Sequence, residues 1–218
     1  MTSTAPPRPS FEACLRNAAE ERLLTLLFER PRAGWHAEIA ALTQEIDDPE
    51  LRSAAAAARE ASEGFHLAFL GNGSPVSPRE VAHRPLGDPG NLIAQLRGLY
   101  AAFGYAPGGE EPLDHVATLV GFLAFLSLKQ AFARERSDEW LAESAARARS
   151  LFTSEHLAFV AEPLCQALER HEAGYLALAA RALLARVGPR PAELERGWTP
   201  QGLEGGSACS SCTFAEES

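Results

Sequence analysis

One segment of this chain is apolar on nearly every face of the helix that it predicts. Between Val116 and Leu128, only Thr118, Gly121 and Ser127 interrupt a strongly hydrophobic run. The run is shorter than the roughly 20 residues that a membrane-spanning helix needs. A helix without a polar face must be surrounded by other helices. The segment therefore predicts a buried helix at the centre of a helical bundle.

Helical periodicity covers almost the whole chain, and no stretch alternates as a half-buried strand does, which predicts an all-α fold. Ser10, Asp48 and Asp88 are typical N-cap residues, and proline follows the last two at the first helical position. The helix after Asp48 is expected to run through to residue 70. Residues 71–90 are rich in glycine and proline and predict a long surface connection, where binding functions often lie.

The C-terminal part of the chain predicts two further helices before periodicity fades. Ser137 is expected to cap the first, and Thr153 or Ser154 the second, which Pro163 should kink or split. We therefore expect a single globular helical domain over residues 11–190. Residues 1–10 are expected to be disordered and residues 191–218 to form a flexible tail.

Length and charge limit the classes of function. The 218 residues suffice for one large domain, and 29 acidic against 20 basic residues give a net charge of −9. Such a surface repels phosphate backbones, so nucleic acid is not an expected partner, whereas a basic peptide is. Residues 1–10 have no apolar signal region, so we expect a cytoplasmic protein without stable membrane insertion.

The sequence lacks the common catalytic signatures, so we expect no enzyme and no cofactor. Gly71-Asn72-Gly73 follows a predicted helix and has no third glycine at the spacing of a nucleotide-binding loop. His171-Glu172 begins like a zinc-protease motif, but Tyr175 stands where the second histidine is required. The six histidines show no ligand spacing, and we expect no metal site.

Cys209 and Cys212 form a single CxxC pair in the tail. The pair is a weak metal-site candidate, with other ligands supplied by a partner, and it can also form a reversible disulfide. Two exposed thiols without a function are the simpler interpretation. A redox or metal-delivery accessory protein that acts through Cys209 and Cys212 is therefore the alternative function.

Residues 110–115 place three carboxylates and an imidazole before the apolar helix: Glu110, Glu111, Asp114 and His115. A carboxylate pair beside an apolar wall can hold an arginine in a forked geometry. Plain capping is the other interpretation, with Asp114 bonding the first free amides and Glu111 complementing the helix dipole. An acid–base pair of His115 and Asp114 is disfavoured, because adjacent residues point in different directions.

Three segments resemble the TorD/DmsD/NarJ family of redox-enzyme maturation chaperones. They are Phe65-His-Leu-Ala-Phe69-Leu-Gly-Asn-Gly73, Ser77-Pro-Arg-Glu-Val81 and Glu111-Pro-Leu-Asp-His-Val-Ala117, the last followed by Phe122, Leu123 and Leu126. The resemblance covers about residues 11–187. It implies an all-helical cytoplasmic chaperone, monomeric or dimeric, that holds the catalytic subunit of a molybdopterin oxidoreductase until cofactor insertion, often through the subunit's twin-arginine leader. The leader-binding residues that it implies are Phe65, Phe69, Ser77, Pro78, Asp114 and His115, and we expect Glu110 and Glu111 to join them.

Overall fold

The computed structural model describes residues 9–84 and 88–190, and these residues form an all-α bundle without a β-strand. The predicted fold class is confirmed. Residues 1–8 and the expected tail, with Cys209 and Cys212, lie outside the described residues. The helices are α1 (Phe11–Phe28), α2 (Trp35–Gln44), α3 (Pro49–Ala57), α4 (Glu63–Leu70), α5 (Pro89–Phe103), α6 (Val116–Glu135), α7 (Glu139–Phe152), α8 (Ala158–Arg170) and α9 (Tyr175–Val187).

Short-range capping fixes the start of α1, α3 and α5, as the sequence predicts. The amide of Ala13 donates to the Ser10 hydroxyl over 3.2 Å, and the amide of Leu51 donates to Asp48 over 2.9 Å. Asp88 accepts in the same way from the amide of Gly90. Each cap satisfies an amide that has no partner inside its helix.

Helix α6 is the centre of the bundle, and its most extensive packing is against α1. Gly121 lies beside Thr25, while the Ser127 hydroxyl donates to Glu21 over 2.6 Å, so the two helices run antiparallel. Among the described residues, α6 alone is long and apolar enough to cross a membrane, and 72% of its apolar window is buried inside the protein. The prediction of a buried central helix is confirmed.

The helix expected over residues 49–70 is two helices. A 3₁₀ turn at Ala58–Glu60 ends α3, and Ala61 and Ser62 are extended. The Ser62 hydroxyl accepts a hydrogen bond from the amide of Phe65 over 3.1 Å and starts α4 anew. The serine side chain here competes with the backbone hydrogen bonds that would continue α3. The regular spacing of apolar residues through this region conceals the break. Helix α4 is therefore a separate short element at the edge of the bundle.

The C-terminal helices also differ from expectation. Asp138 caps α7, because Ser137 adopts a positive φ of 56° in the preceding turn. Neither Thr153 nor Ser154 acts as an N-cap, since a π turn at Thr153–Leu157 joins α7 directly to α8. Pro163 lies inside α8, and the chain breaks later, at residues 171–174.

Candidate functional site

Helix α4 presents two aromatic rings on one side. The rings of Phe65 and Phe69 lie 4.9 Å apart between centroids, and both side chains are half-buried. The ring of Phe65 also lies 5.7 Å from that of Tyr175 at the start of α9. Leu67, on another face of α4, is exposed. Phe65 and Phe69 thus form an aromatic face that is partly open to solvent.

Arg30 links α4, which carries this aromatic face, to residues 110–115, which we call the acidic loop. Its guanidinium lies 3.7 Å from the carboxylate of Glu63, at the first turn of α4, and also bonds to Glu110. All three side chains are exposed, so these pairs contribute little to stability. They nevertheless place an open carboxylate, Glu110, beside the helix that carries Phe65 and Phe69.

Residues 77–84, which we call the strap, pair with the entry to α6. The amide of Val116 donates to the carbonyl of Pro78, and the amide of Glu80 donates to the carbonyl of Asp114, each over 2.9 Å. Pro78 is buried and Ser77 is half-buried. The expected surface connection is therefore anchored, and it brings Ser77 and Pro78 next to Asp114.

Asp114 has no exposed surface and holds an arginine of the strap. Arg79 donates from Nε to both carboxylate oxygens, over 3.0 and 3.2 Å, and from its terminal nitrogen over 2.8 Å. The amide of Val81 adds a contact of 3.3 Å. Asp114 does not cap α6, because its carboxylate is turned toward the strap. His115 caps the helix instead, with Nδ1 accepting from the amide of Ala117 over 3.2 Å.

His115 and His66 are buried imidazoles close to this corner. Burial lowers the pKa of His115 to about 3 and that of His66 to about 4. Glu111 lies 3.6 Å from Nε2 of His115, and burial raises the pKa of this carboxyl. The imidazoles are therefore neutral at physiological pH. Asp114 and His115 turn to different partners, as expected for neighbours in sequence, and offer no surface to a client in this conformation.

These imidazoles predict a loss of stability in mild acid. The unfolded chain takes up their protons near a pKa of about 6.5, whereas the folded chain does not until about pH 3 to 4. Stability is therefore fully present above pH 6.5 and falls below it. Between about pH 7.5 and 5.5, each imidazole should cost about 1.4 kcal/mol of unfolding free energy, measured by urea denaturation.

A variant and a matched control separate this effect from general acid sensitivity. His66→Phe should reduce the change in unfolding free energy between the two pH values by the contribution of one imidazole. His171→Asn changes an exposed histidine and should leave the dependence as it was. Equal unfolding free energies of the unaltered protein at the two pH values would contradict burial of neutral imidazoles.

A second buried carboxylate, Glu80, was not identified from the sequence. It accepts a hydrogen bond from Nε of Arg84 over 2.6 Å and lies 3.1 Å from Nδ1 of His156 in the π turn. The guanidinium of Arg84 stacks on Phe159, 4.1 Å from the ring centroid. Only the spacing of four residues from Glu80 to Arg84 hints at this network, since nothing local indicates His156. Adjacent residues Arg79 and Glu80 thus anchor the strap to two different parts of the bundle.

The described residues show no metal site, and the clefts lie away from the predicted binding residues. The described residues contain no group of three or more histidine, cysteine or acidic side chains that could hold a metal ion. Cys14 and Cys165 are buried free thiols whose pKa burial raises. Two clefts, of about 430 and 420 Å³, lie around Arg149 and Arg186, and none of the predicted binding residues lines them.

Comparison with known protein families gives a match over more than half of the chain. A family model described as "Nitrate reductase delta subunit" matches residues 29–166. No curated protein and no solved structure matches the chain. The matched range contains the aromatic face, the strap and the acidic loop, and it reaches from the end of α1 into α8.

Proposed function

The chain belongs to the nitrate reductase delta subunit family, whose members are molybdoenzyme maturation chaperones, and we propose that it binds the twin-arginine leader of a molybdopterin oxidoreductase. The family is the one that the sequence motifs resemble. Family members are chaperones rather than enzymes. In the proposed function, the chain works in the cytoplasm and holds the catalytic subunit until its cofactor is inserted, which delays export.

The observation that supports this proposal is the link through Arg30, which pairs both with Glu110 and with Glu63 on the helix that carries the aromatic face. A twin-arginine leader joins basic residues to an apolar stretch. The exposed carboxylates of Glu110 and Glu63 supply partners for arginines, and Phe65 and Phe69 supply the neighbouring apolar surface. One short peptide can therefore contact both features at once.

In the client-free conformation, Ser77, Pro78, Asp114 and His115 support this surface indirectly. Their backbone pairing and the buried contact between Arg79 and Asp114 hold the strap against the entry to α6. The acidic loop ends directly before this entry, so a fixed strap keeps the end of the loop in place. The net charge of −9 favours fast association with a basic leader, and this advantage should shrink as salt is added.

Removal of the aromatic face should weaken leader binding. We expect Phe65→Ala combined with Phe69→Ala to lower the affinity for a synthetic twin-arginine leader peptide at least about tenfold, because the peptide's apolar stretch loses its contact surface. The peptide should come from a molybdopterin oxidoreductase of the host organism. Isothermal titration calorimetry measures the affinity, and thermal unfolding establishes that the variant is folded.

Leu67→Ala is the matched control, because Leu67 lies on the same short helix but away from the two rings. Its affinity should equal that of the unaltered protein. Equal loss in both variants would indicate that α4 matters only as a helix. Unchanged binding by the folded double variant would exclude the aromatic face as the leader-binding surface.

A further inference from the structure

The two side chains of the Arg79–Asp114 ion pair differ strongly in their exposure to solvent. The carboxylate of Asp114 is completely buried, whereas the side chain of Arg79 is 43% exposed. The arginine therefore approaches the carboxylate from the solvent side and covers it. Without the Arg79 side chain, this buried carboxylate would lose its guanidinium partner.

The geometry at Asp114 defines the chemistry of the group that fits there. Arg79 bonds through two different nitrogens, Nε and a terminal nitrogen, which only a planar guanidinium can offer in this arrangement. An ammonium group is a point donor and cannot reproduce the fork. The site is therefore already built for a guanidinium and is filled by one from the chain itself.

The exposed carboxylates of Glu110 and Glu63 are also paired with an arginine of the chain. Arg30 lies on Glu110 and Glu63, where the pairs are exposed and easily exchanged. Two carboxylate positions around residues 110–114 thus each hold an arginine of the chain. One of these arginines is on the surface and the other covers a buried acid.

We propose that Arg79 is an internal substitute for a client arginine, which displaces it from Asp114 when the client binds. This inference rests on the proposed function, because it deepens the account of the same surface. The exchange replaces one guanidinium by another, so the buried carboxylate is never left unpaired in either end state. The displaced Arg79 side chain turns to solvent, from which it is already partly accessible.

The exchange also gives a reason for selectivity. A client lysine cannot restore the forked hydrogen bonds, and it would leave part of the buried carboxylate without donors. Competition from Arg79 therefore rejects lysine more strongly than an open acidic surface would. Arg79 acts as a specificity-determining residue and lowers the affinity for every client.

Arg79→Ala tests this proposal without knowledge of the client, through small cations. The variant should melt at a lower temperature than the unaltered protein, because Asp114 loses its partner. Methylguanidinium should raise its melting temperature more than methylammonium does, and neither ion should have this selective effect on the unaltered protein. Arg181→Ala, which removes an exposed ion pair with Glu169, is the matched control and should show no selective rescue.

Peptide binding provides the second arm of the test. Arg79→Ala should bind a twin-arginine leader peptide about tenfold more tightly than the unaltered protein does, while a twin-lysine version gains less. Arg79→Lys is the second variant, for use if the alanine variant does not fold. It keeps the positive charge but cannot form the forked hydrogen bonds, so its affinity for the arginine peptide should increase by a smaller factor.

The two arms separate the possible failures. The proposal that Arg79 takes the place of a client arginine would be overturned if the two cations had equal effects on the alanine variant. It would also be overturned if that variant bound the arginine peptide no more tightly than the unaltered protein does. Either result would leave open that the unaltered protein binds leaders. Selective rescue by methylguanidinium with no leader binding by any variant would support the guanidinium site and refute the proposed function instead.

Discussion

Replacement of Glu80 by alanine is expected to lower the free energy of unfolding by about 3 to 5 kcal/mol. Glu80 has no exposed surface, and its carboxylate contacts both Arg84 and His156. Without it, the buried imidazole of His156 and the partly buried guanidinium of Arg84 lose the carboxylate that both contact. Such a loss costs more than the removal of an exposed ion pair.

Urea denaturation measures this loss, and Glu63→Ala is the control, because its exposed pair with Arg30 should contribute no more than about 1 kcal/mol. The released strap should also expose its backbone, so the amides of residue 80 and Val116 should exchange hydrogen faster. A destabilisation as small as that of the control would show that the Glu80 network does not anchor the strap.

Phe122→Ala is expected to destabilise the protein by about 3 to 5 kcal/mol, because it opens a cavity in the core. The ring of Phe122 is fully buried on α6 and lies 4.8 Å from the ring of Tyr100, 4.9 Å from Phe152 and 5.3 Å from Tyr105. The hydroxyl of Tyr100 donates to the carbonyl of Leu113 over 2.9 Å. Loss of this ring should therefore also loosen the acidic loop, because Tyr100 would no longer be held against the Leu113 carbonyl within it.

Phe132→Ala makes the same chemical change on the same helix and provides the comparison. Its side chain is 50% exposed, so truncation leaves no closed cavity and should cost much less. Chemical denaturation of the two variants measures the difference directly. Similar losses in the two variants would contradict the placement of Phe122 at the packed centre of the bundle.

The sequence predicts much of the secondary structure because the relevant signals are local. Ser10, Asp48 and Asp88 each bond an amide two or three residues away, so their effect is visible in the sequence itself. The apolar character of α6 likewise requires burial whatever surrounds it. Ser62 uses the same local chemistry, but it lies within a regular apolar pattern that reads as one continuous helix.

The partners of the buried charges could not be predicted in this way. Asp114 pairs with a residue 35 positions away, and Glu80 pairs with one 76 positions away. Periodicity indicates which face of a helix is buried but not which distant side chain meets it. An acid before a helix is also a typical cap, and a shift of one residue, from Asp114 to His115, decides which side chain fills that role.

For the candidate binding residues, too, local relations could be predicted from the sequence and long-range contacts could not. Phe65 and Phe69 lie together because they are four residues apart on one helix, which the sequence spacing already indicates. The link between their helix and Glu110 depends on Arg30, which follows α1 and pairs with both Glu63 and Glu110. The sequence thus indicates the parts of the surface, and tertiary packing decides how they are joined.

The pairing of α1 with α6 has a consequence for the protein's own biosynthesis. The hydrogen bond between Glu21 and Ser127 joins residues 106 positions apart, so α1 emerges from the ribosome long before its partner. Its apolar side chains Leu23, Leu24 and Leu27, completely buried in the finished protein, face water throughout that interval. Long-range contacts of this kind form slowly and leave nascent chains prone to aggregation. A member of a chaperone family thus passes through an unprotected stage before it can shield another chain.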